Sequence, residues 1–173
     1  HLMNLKVYDD AVTRHERGEI LHRALQSQLR LGWRDQHVNE LNYQNLYSDW
    51  TLDDLESCGL WKYFQAVIDD TPWFTKSQFS RSVLNVVRPT DVHLIHTHSS
   101  QADKVILYYV NLEWKDGWYG ETLFYSDDIK DVAFTSPFVP GRIILFDGQI
   151  PHAIRPQSVA GPKYRLSIST FFS

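Results

Sequence analysis

The second half of the chain, from Phe79 onward, constrains the fold most strongly. It consists of short runs of β-branched, aromatic and aliphatic residues, and most of the loops between them carry glycine or proline. Many short strands separated by turn residues are typical of an all-β sandwich or barrel. The predicted strands are Ser82–Val87, Val105–Val110, Glu121–Tyr125, Val132–Thr135, Arg142–Phe146, His152–Arg155 and Tyr164–Phe172.

The first half is predicted to be largely helical. Thr13 and Glu16 form a capping-box pattern, and apolar residues at helical spacing predict a helix from about Thr13 to Leu31. A second capping pattern at Thr51 predicts a helix that ends near Asp70, while the polar stretch between the two helices has no clear period. Helices followed by strands predict an α+β protein that is mainly β, with N-terminal helices.

The whole chain is long enough to form a single domain with a sizeable core. We expect one domain over residues 1–173, with a helical buttress over about residues 10–78 and a β core over about residues 79–173. The net charge of −4 argues against a nucleic-acid binder that relies on bulk charge. The single cysteine, Cys58, excludes an internal disulfide and a multi-cysteine zinc site. Without a leader or a long apolar run, we expect a cytoplasmic protein outside the membrane, of unspecified oligomeric state.

Three histidines in the β-rich half form a candidate metal site. His96 and His98 are two residues apart, so on an extended chain both imidazoles point to the same face. His93 lies an odd number of residues from both and is expected to be a surface group or to support the site from outside. His152 follows a strand and a turn, which is how a jelly-roll metal site receives a distant ligand. The pattern therefore favours metal binding by His96, His98 and His152.

A candidate anion site lies thirteen residues further on. Arg165 and Ser167 share one face of an apolar strand. An arginine directed into a β core is costly unless it meets an anion, and its planar fork suits a carboxylate, to which Ser167 can add a hydrogen bond. Two alternatives stay open, in which Arg165 faces solvent or pairs with a nearby aspartate. If Arg165 points outward, Arg155 could serve as the anion partner instead.

These pieces, in this order, resemble the iron(II)- and 2-oxoglutarate-dependent oxygenases, in particular the prolyl-4-hydroxylase-like branch. That branch combines a His-x-Asp pair, Tyr-Tyr-Leu-Asn with a tryptophan, Gly-Gly-Glu-Thr with an aromatic residue, a Gly-Arg strand, Pro-His and an arginine. The resemblance covers about half of the chain. The matching pieces here are His96-Thr97-His98, Tyr108-Tyr109-Val110-Asn111, Trp114, Tyr119 to Phe124, Pro140-Gly141-Arg142 to Phe146, Pro151-His152 and Arg165-Leu166-Ser167.

The resemblance implies a double-stranded β-helix, a jelly-roll or cupin-like core, that holds one Fe(II). It implies metal ligation by His96 and His152, and binding of the distal carboxylate of 2-oxoglutarate by Arg165, Ser167 and Tyr109. It also implies an O2-dependent reaction that converts 2-oxoglutarate to succinate and CO2 while hydroxylating a small-molecule or peptidyl substrate. In the family, a loop such as residues 113–119 covers that substrate, although packed aromatic residues in a hairpin loop explain it equally well.

One residue departs from the family pattern. The second ligand of the family is an aspartate or glutamate, and this chain has His98 there. His98 itself ligates the metal, or a water or a carboxylate from Glu121 or Asp103 takes its place, or the site has lost its redox activity. Two other functions stay open: a three-histidine dioxygenase of the cupin type that needs no 2-oxoglutarate, and a non-enzymatic β-barrel binding module.

Overall fold

Two antiparallel sheets dominate the structure, a computed structural model that describes residues 3–33, 44–74, 77–98 and 102–173. The larger sheet has seven strands in the order β1-β8-β5-β10-β4-β3-β2, and the smaller has three in the order β7-β6-β9. The strands are β1 (Leu5–Tyr8), β2 (Arg30–Trp33), β3 (Asn45–Trp50), β4 (Phe79–Val87), β5 (Lys104–Tyr109), β6 (Thr122–Tyr125), β7 (Val132–Ser136), β8 (Ile143–Asp147), β9 (His152–Ile154) and β10 (Arg165–Phe172).

The helices lie in the first half of the chain, as predicted. They are α1 (Arg14–Leu25), α2 (Leu52–Ser57), α3 (Trp61–Asp69) and a 3-10 turn at Pro72–Phe74. The predicted starts are confirmed, because Thr13 accepts a hydrogen bond from the Glu16 amide and Thr51 forms a reciprocal capping box with Asp54. None of the helices in the described ranges is both long and apolar enough to cross a bilayer.

Two helix boundaries differ from the prediction. The first helix ends at Leu25 instead of near Leu31, because Arg30–Trp33 forms a strand that pairs with β3. The second predicted helix is divided into α2 and α3 at Gly59, whose φ of +86° is incompatible with a continuous helix. The stretch 10–78 therefore also contributes β2 and β3, which extend the large sheet beyond β4. Part of the polar stretch without a clear period, residues 34–43, lies outside the described residues.

The seven predicted strands of the second half are confirmed to within three residues at each end. In the large sheet, alternate residues face opposite sides. One side packs against the helices through residues such as Tyr108 and Ile168, and the other faces the small sheet through residues such as Tyr109 and Phe171. The predicted mainly β architecture with N-terminal helices is thus confirmed as two antiparallel sheets with few helices. The space between the sheets contains the candidate site.

Candidate functional site

The structure brings His96, His98 and His152 together between the two sheets. One ligand nitrogen from each lies within 4.8 Å of the others, and the ring centroids are 4.4 to 4.9 Å apart. The Nε2 atoms of His98 and His152 lie 3.1 Å apart. The histidines come from two distant parts of the chain, as the sequence pattern predicts for a metal site.

Backbone pairing explains why these distant residues meet. His96 and His152 form an isolated antiparallel bridge, in which each amide donates to the carbonyl of the other at 3.0 Å. The His98 amide donates to the Gly148 carbonyl at 2.8 Å, in the turn that precedes β9. Residues 91–95 are not a regular strand, so this pairing, and not a long extended run, orients the His96 and His98 rings.

Hydrogen bonds at the far side of two rings aim their other nitrogens into the cluster. Nδ1 of His96 lies 2.9 Å from the Leu94 carbonyl, and Nδ1 of His152 lies 2.9 Å from the Ile150 carbonyl. A carbonyl oxygen only accepts, so both Nδ1 atoms donate, and in the neutral form of each ring the lone pair is on Nε2. Such outer hydrogen bonds fix the tautomer of metal-binding histidines. The two rings are therefore set up as Nε2 ligands.

The surroundings of the cluster bury two of its three rings among aromatic side chains. His98 and His152 are only 7% and 6% exposed, and aromatic rings of Phe124, Phe146 and Phe171 lie against them. Burial, with the nearby imidazoles as a second cause, holds the pKa of His152 well below its usual range. A neutral imidazole is the form that binds a metal cation, because protonation would occupy the lone pair.

No carboxylate joins the three histidines within the part of the chain that the structure describes. Glu121 is paired with Arg155 at 3.2 Å, and Asp103 is exposed. Arg155 also stacks on the ring of Tyr119, 3.8 Å from its centroid, so its charge is already compensated away from the cluster. His98 is thus the residue that occupies the position where the family pattern has an acid.

Arg165, the first residue of β10, is fully buried, and its side chain contacts Thr122 of the small sheet. Its Nε donates to the Gly120 carbonyl at 2.8 Å, and its terminal nitrogens make only long contacts, 3.4 Å to Ser167 Oγ and 3.3 Å to Thr122 Oγ1. Among the described residues, none of the ion pairs involves Arg165, so the alternatives of a solvent-facing or aspartate-paired arginine are not observed. Burial lowers the pKa of Arg165 to about 10, against the opposing influence of Tyr109 and Glu121. A buried guanidinium without a counter-charge is costly, and an anion beside it would offset that cost.

A network of hydroxyl groups lies next to Arg165. The Tyr109 hydroxyl is 2.7 Å from Thr122 Oγ1 and donates to Ser136 Oγ at 3.1 Å. Ser167 is the direct cross-strand neighbour of Tyr109. We use the name Arg165 cradle for four residues: Arg165, Tyr109, Thr122 and Ser167. The cradle brings together the three residues predicted to bind the keto acid.

Thr122 connects the cradle with the histidines. It lies in the cradle, and it also lines a cavity of about 30 Å³ beside the three histidines. The cavity has mostly apolar walls, such as Trp33 and Ile154, with Asn85 and Ser169 as further polar residues. Its volume corresponds to about one water molecule. Binding of a larger molecule between metal ligands and cradle therefore requires the lining side chains to move apart.

Stacked aromatic residues cover the cradle. Phe138 stacks on Tyr109 with ring centroids 4.4 Å apart and lies 5.2 Å from the Arg165 guanidinium carbon. Trp114 in turn stacks on Phe138, with ring centroids 3.9 Å apart. Within the loop 113–119, Trp114 is thus the residue that packs over the cradle through Phe138.

Several residues of this region are not predicted from the sequence. Thr122 was part of the family-like segment, and its alternation with Phe124 in β6 is a signal that it faces inward. Asn85 is a lone polar residue in the apolar run 83–87, which is another usable signal. Phe138 follows Pro137 in a loop, and no periodic pattern identifies it.

No protein-family model matches the sequence, and no curated protein sequence matches it. Solved structures do match its fold. A Pseudomonas putida prolyl-4-hydroxylase is 14% identical with a TM-score of 0.68, over 98% of this chain and 92% of its own. A Trichoplax adhaerens prolyl hydroxylase, solved with a hypoxia inducible factor peptide fragment, is 14% identical with a TM-score of 0.70, over 98% and 83%.

A third match is the non-heme α-ketoglutarate-dependent epimerase SnoN from nogalamycin biosynthesis. It is 12% identical with a TM-score of 0.71, over 99% of this chain and 78% of its own. At these identities the matches establish a common fold. The predicted resemblance to the 2-oxoglutarate- and iron-dependent oxygenases, with prolyl hydroxylases among them, is therefore confirmed at the level of fold.

Proposed function

We propose that this protein is an iron(II)- and 2-oxoglutarate-dependent oxygenase with a double-stranded β-helix core. The observation that carries the proposal is a pair of neighbouring sites: three converging imidazoles, and a fully buried guanidinium without a carboxylate partner among the described residues. Thr122 lines the cavity beside the histidines and also contacts Arg165. A keto acid with a distal carboxylate matches this pair of sites, because one end chelates a metal and the other is an anion.

The residues present fit a divalent iron ion. Imidazole nitrogen is a good ligand for Fe(II), and His96 and His152 have Nε2 lone pairs aimed into the cluster. We propose His98 as the third ligand. When bound, Fe(II) supplies the O2 chemistry in which a substrate C–H bond becomes C–OH while 2-oxoglutarate becomes succinate and CO2.

The chain's own residues bind and orient the cosubstrate. The Arg165 guanidinium neutralises the distal carboxylate and donates hydrogen bonds to it, and Ser167 and the Tyr109 hydroxyl add neutral donors. The aromatic rings of Phe138 and Trp114 exclude water from this end, which strengthens the ionic contact. The outer hydrogen bonds of His96 and His152 keep the ligand rings in place while the cosubstrate binds.

Three neutral ligands change the charge of the site. A carboxylate ligand would cancel one of the two positive charges of Fe(II), and His98 cancels none. The protein therefore presents a more positive centre to a dianionic keto acid, which favours its binding. The same property suits the three-histidine dioxygenases that use no 2-oxoglutarate, but those enzymes have no role for the buried cation of Arg165.

Structural relatives with the same fold carry names as different as prolyl hydroxylase and epimerase. We propose a small-molecule or peptidyl substrate that enters the space between the sheets from the side of Trp33 and Ile154, which line the cavity at the histidines.

An anaerobic titration tests the proposal. Fe(II) is added to the purified protein, followed by 2-oxoglutarate, and the visible charge-transfer band of an iron-chelated keto acid is recorded. We expect the band in the wild type and at least about a 100-fold higher Kd for 2-oxoglutarate in Arg165→Ala, because truncation of a buried ionic partner costs several kcal/mol. Arg155→Ala is the matched control, since Arg155 is exposed and paired with Glu121. We expect it to leave the Kd unchanged.

The same titration distinguishes the rival functions. Iron uptake without any keto-acid band would support a three-histidine dioxygenase that needs no 2-oxoglutarate. Failure of the wild type to take up iron would support a non-enzymatic binding module. Either result would overturn the proposed function.

A further inference from the structure

We propose that Trp114 is a positioning residue that sets the orientation of Arg165 for the distal carboxylate of 2-oxoglutarate. This inference rests on the proposed function. Trp114 lies outside the Arg165 cradle and does not contact the guanidinium directly. It contacts two groups that lie against the guanidinium. The edge of its indole contacts the backbone at Gly120, and the face of its indole contacts Phe138.

The edge of the Trp114 indole holds the backbone at Tyr119 and Gly120. Its Nε1 donates to the Tyr119 carbonyl at 2.8 Å. Tyr119 and Gly120 both have positive φ, 63° and 81°, which is an unusual backbone conformation for two successive residues. A Cβ at Gly120 would lie only 2.5 Å from Trp114 Cζ2, so the indole lies directly against the backbone. The Trp114 contacts therefore stabilise a turn that would otherwise be strained.

This turn carries the strongest contact of Arg165. The Gly120 carbonyl accepts from Arg165 Nε at 2.8 Å, while the terminal nitrogens of Arg165 make only long contacts within the cradle. With Nε held by Gly120, the two terminal nitrogens are left to face a ligand. The direction of the guanidinium fork thus depends on the position of the Gly120 carbonyl, which depends on Trp114.

The face of the indole holds a second wall of the cradle. Trp114 stacks on Phe138 at 3.9 Å with an interplanar angle of 26°, and Phe138 in turn lies 5.2 Å from the guanidinium carbon of Arg165. The Phe138 ring excludes water from the buried cation. Trp114 therefore supports Arg165 from two directions, through the Gly120 carbonyl and through the Phe138 ring.

A pair of keto acids tests this role. 2-Oxopentanoate has the same metal-chelating end as 2-oxoglutarate but lacks the distal carboxylate. The ratio of its Kd to that of 2-oxoglutarate measures what Arg165 contributes. Both Kd values come from the anaerobic charge-transfer titration with Fe(II), which requires no turnover. A role through Arg165 must change this ratio, while a loss of general packing changes both Kd values together.

We expect Trp114→Ala to reduce the wild-type preference for 2-oxoglutarate by about tenfold, and Trp114→Phe, which keeps the stack but lacks the indole N–H, by about threefold. The affinity for Fe(II) should stay unchanged in both. Trp118→Ala is the matched control: Trp118 lies in the same loop and packs edge-on against Trp114, 5.7 Å between ring centroids. It should leave the preference for 2-oxoglutarate unchanged.

The outcomes separate this inference from the function on which it rests. A wild type without a keto-acid band would overturn the proposed function and this inference together. A wild type that prefers 2-oxoglutarate, with Trp114 variants whose preference is unchanged, would overturn this inference alone. If Trp114→Ala fails to fold, as judged by its thermal transition, Trp114→Phe decides: an unchanged ratio there also contradicts the positioning role.

Discussion

The two faces of the large sheet differ in what they bury, although they belong to the same strands. The face toward the helices buries aliphatic and aromatic side chains, such as Leu84, Ile106 and Ile168, and a few small hydroxyl groups, such as those of Ser82 and Thr170, which bond to each other at 2.9 Å. The face toward the small sheet buries Asn85, Arg165 and two of the candidate ligands as well as apolar residues. Each buried polar group costs free energy that an apolar residue would not. The guanidinium and the imidazoles, which are the most costly of these groups to bury, lie at the face toward the small sheet, so we propose that face as the functional one and the helix-packed face as the one that stabilises the fold.

The largest expected effect is on the helix-packed face. Ile168→Ala removes a side chain that is completely buried against the helices, and we expect a loss of about 3 kcal/mol in the free energy of unfolding, because a cavity remains. Chemical denaturation measures this loss. The Kd for 2-oxoglutarate should stay at the wild-type value.

Ser169→Ala is the control on the opposite face of β10. Ser169 lines the histidine cavity and makes one long hydrogen bond, 3.4 Å from Asn85 Nδ2. We expect a change in stability below about 1 kcal/mol. If Ile168→Ala weakened keto-acid binding as much as it weakened folding, the two faces would not be separable as we propose.

The sequence predicts some strands better than others, because only some of them have a clear residue pattern. The strands of the second half are predicted closely because their β-rich runs end at turn residues. The strands β2 and β3 are not, because a strand such as Arg30–Trp33 has three exposed residues and obtains its order from pairing with its neighbour. Helix α1 ends at Leu25 for the same reason, because the following segment Arg30–Trp33 pairs with β3 in the sheet.

The candidate site was predicted where residue chemistry is distinctive and missed where only three-dimensional packing defines it. Histidine pairs and core arginines are rare in strands, and this rarity identifies His96, His98, His152 and Arg165 as candidates. Their functional roles stay predictions. Phe138 and the Gly120 carbonyl contact Arg165 through loop conformation, which a linear pattern does not encode.

The second expected effect concerns the metal end of the functional face. His98→Ala should lower the affinity for Fe(II) about 100-fold, because it removes one of three proposed ligands. Anaerobic equilibrium dialysis measures the affinity. His93→Ala is the matched control, since His93 lies three residues before His96 and outside the cluster. Equal affinities in the wild type and His98→Ala would show that His98 is not a ligand and that the family's acid position is vacant or filled by water.

The smallest expected effect compares two adjacent tyrosines on opposite faces. The Tyr109 hydroxyl bonds to Thr122 and Ser136 in the cradle, whereas the Tyr108 hydroxyl is buried toward the helices without a hydrogen-bond partner among the described residues. Burial raises the pKa of Tyr108, so its phenol stays neutral. Tyr109→Phe should raise the Kd for 2-oxoglutarate about tenfold, because one hydrogen bond to a charged group is lost.

Tyr108→Phe should leave that Kd unchanged and keep the stability or raise it by up to about 1 kcal/mol, because it removes a buried hydroxyl that has no partner. The titration with 2-oxoglutarate and a denaturation curve measure the two quantities for both variants. A Tyr108→Phe variant that bound the keto acid as weakly as Tyr109→Phe would contradict the division of labour between the faces. The expected result would instead show that one residue step along β5 separates a group that binds from a group that only packs.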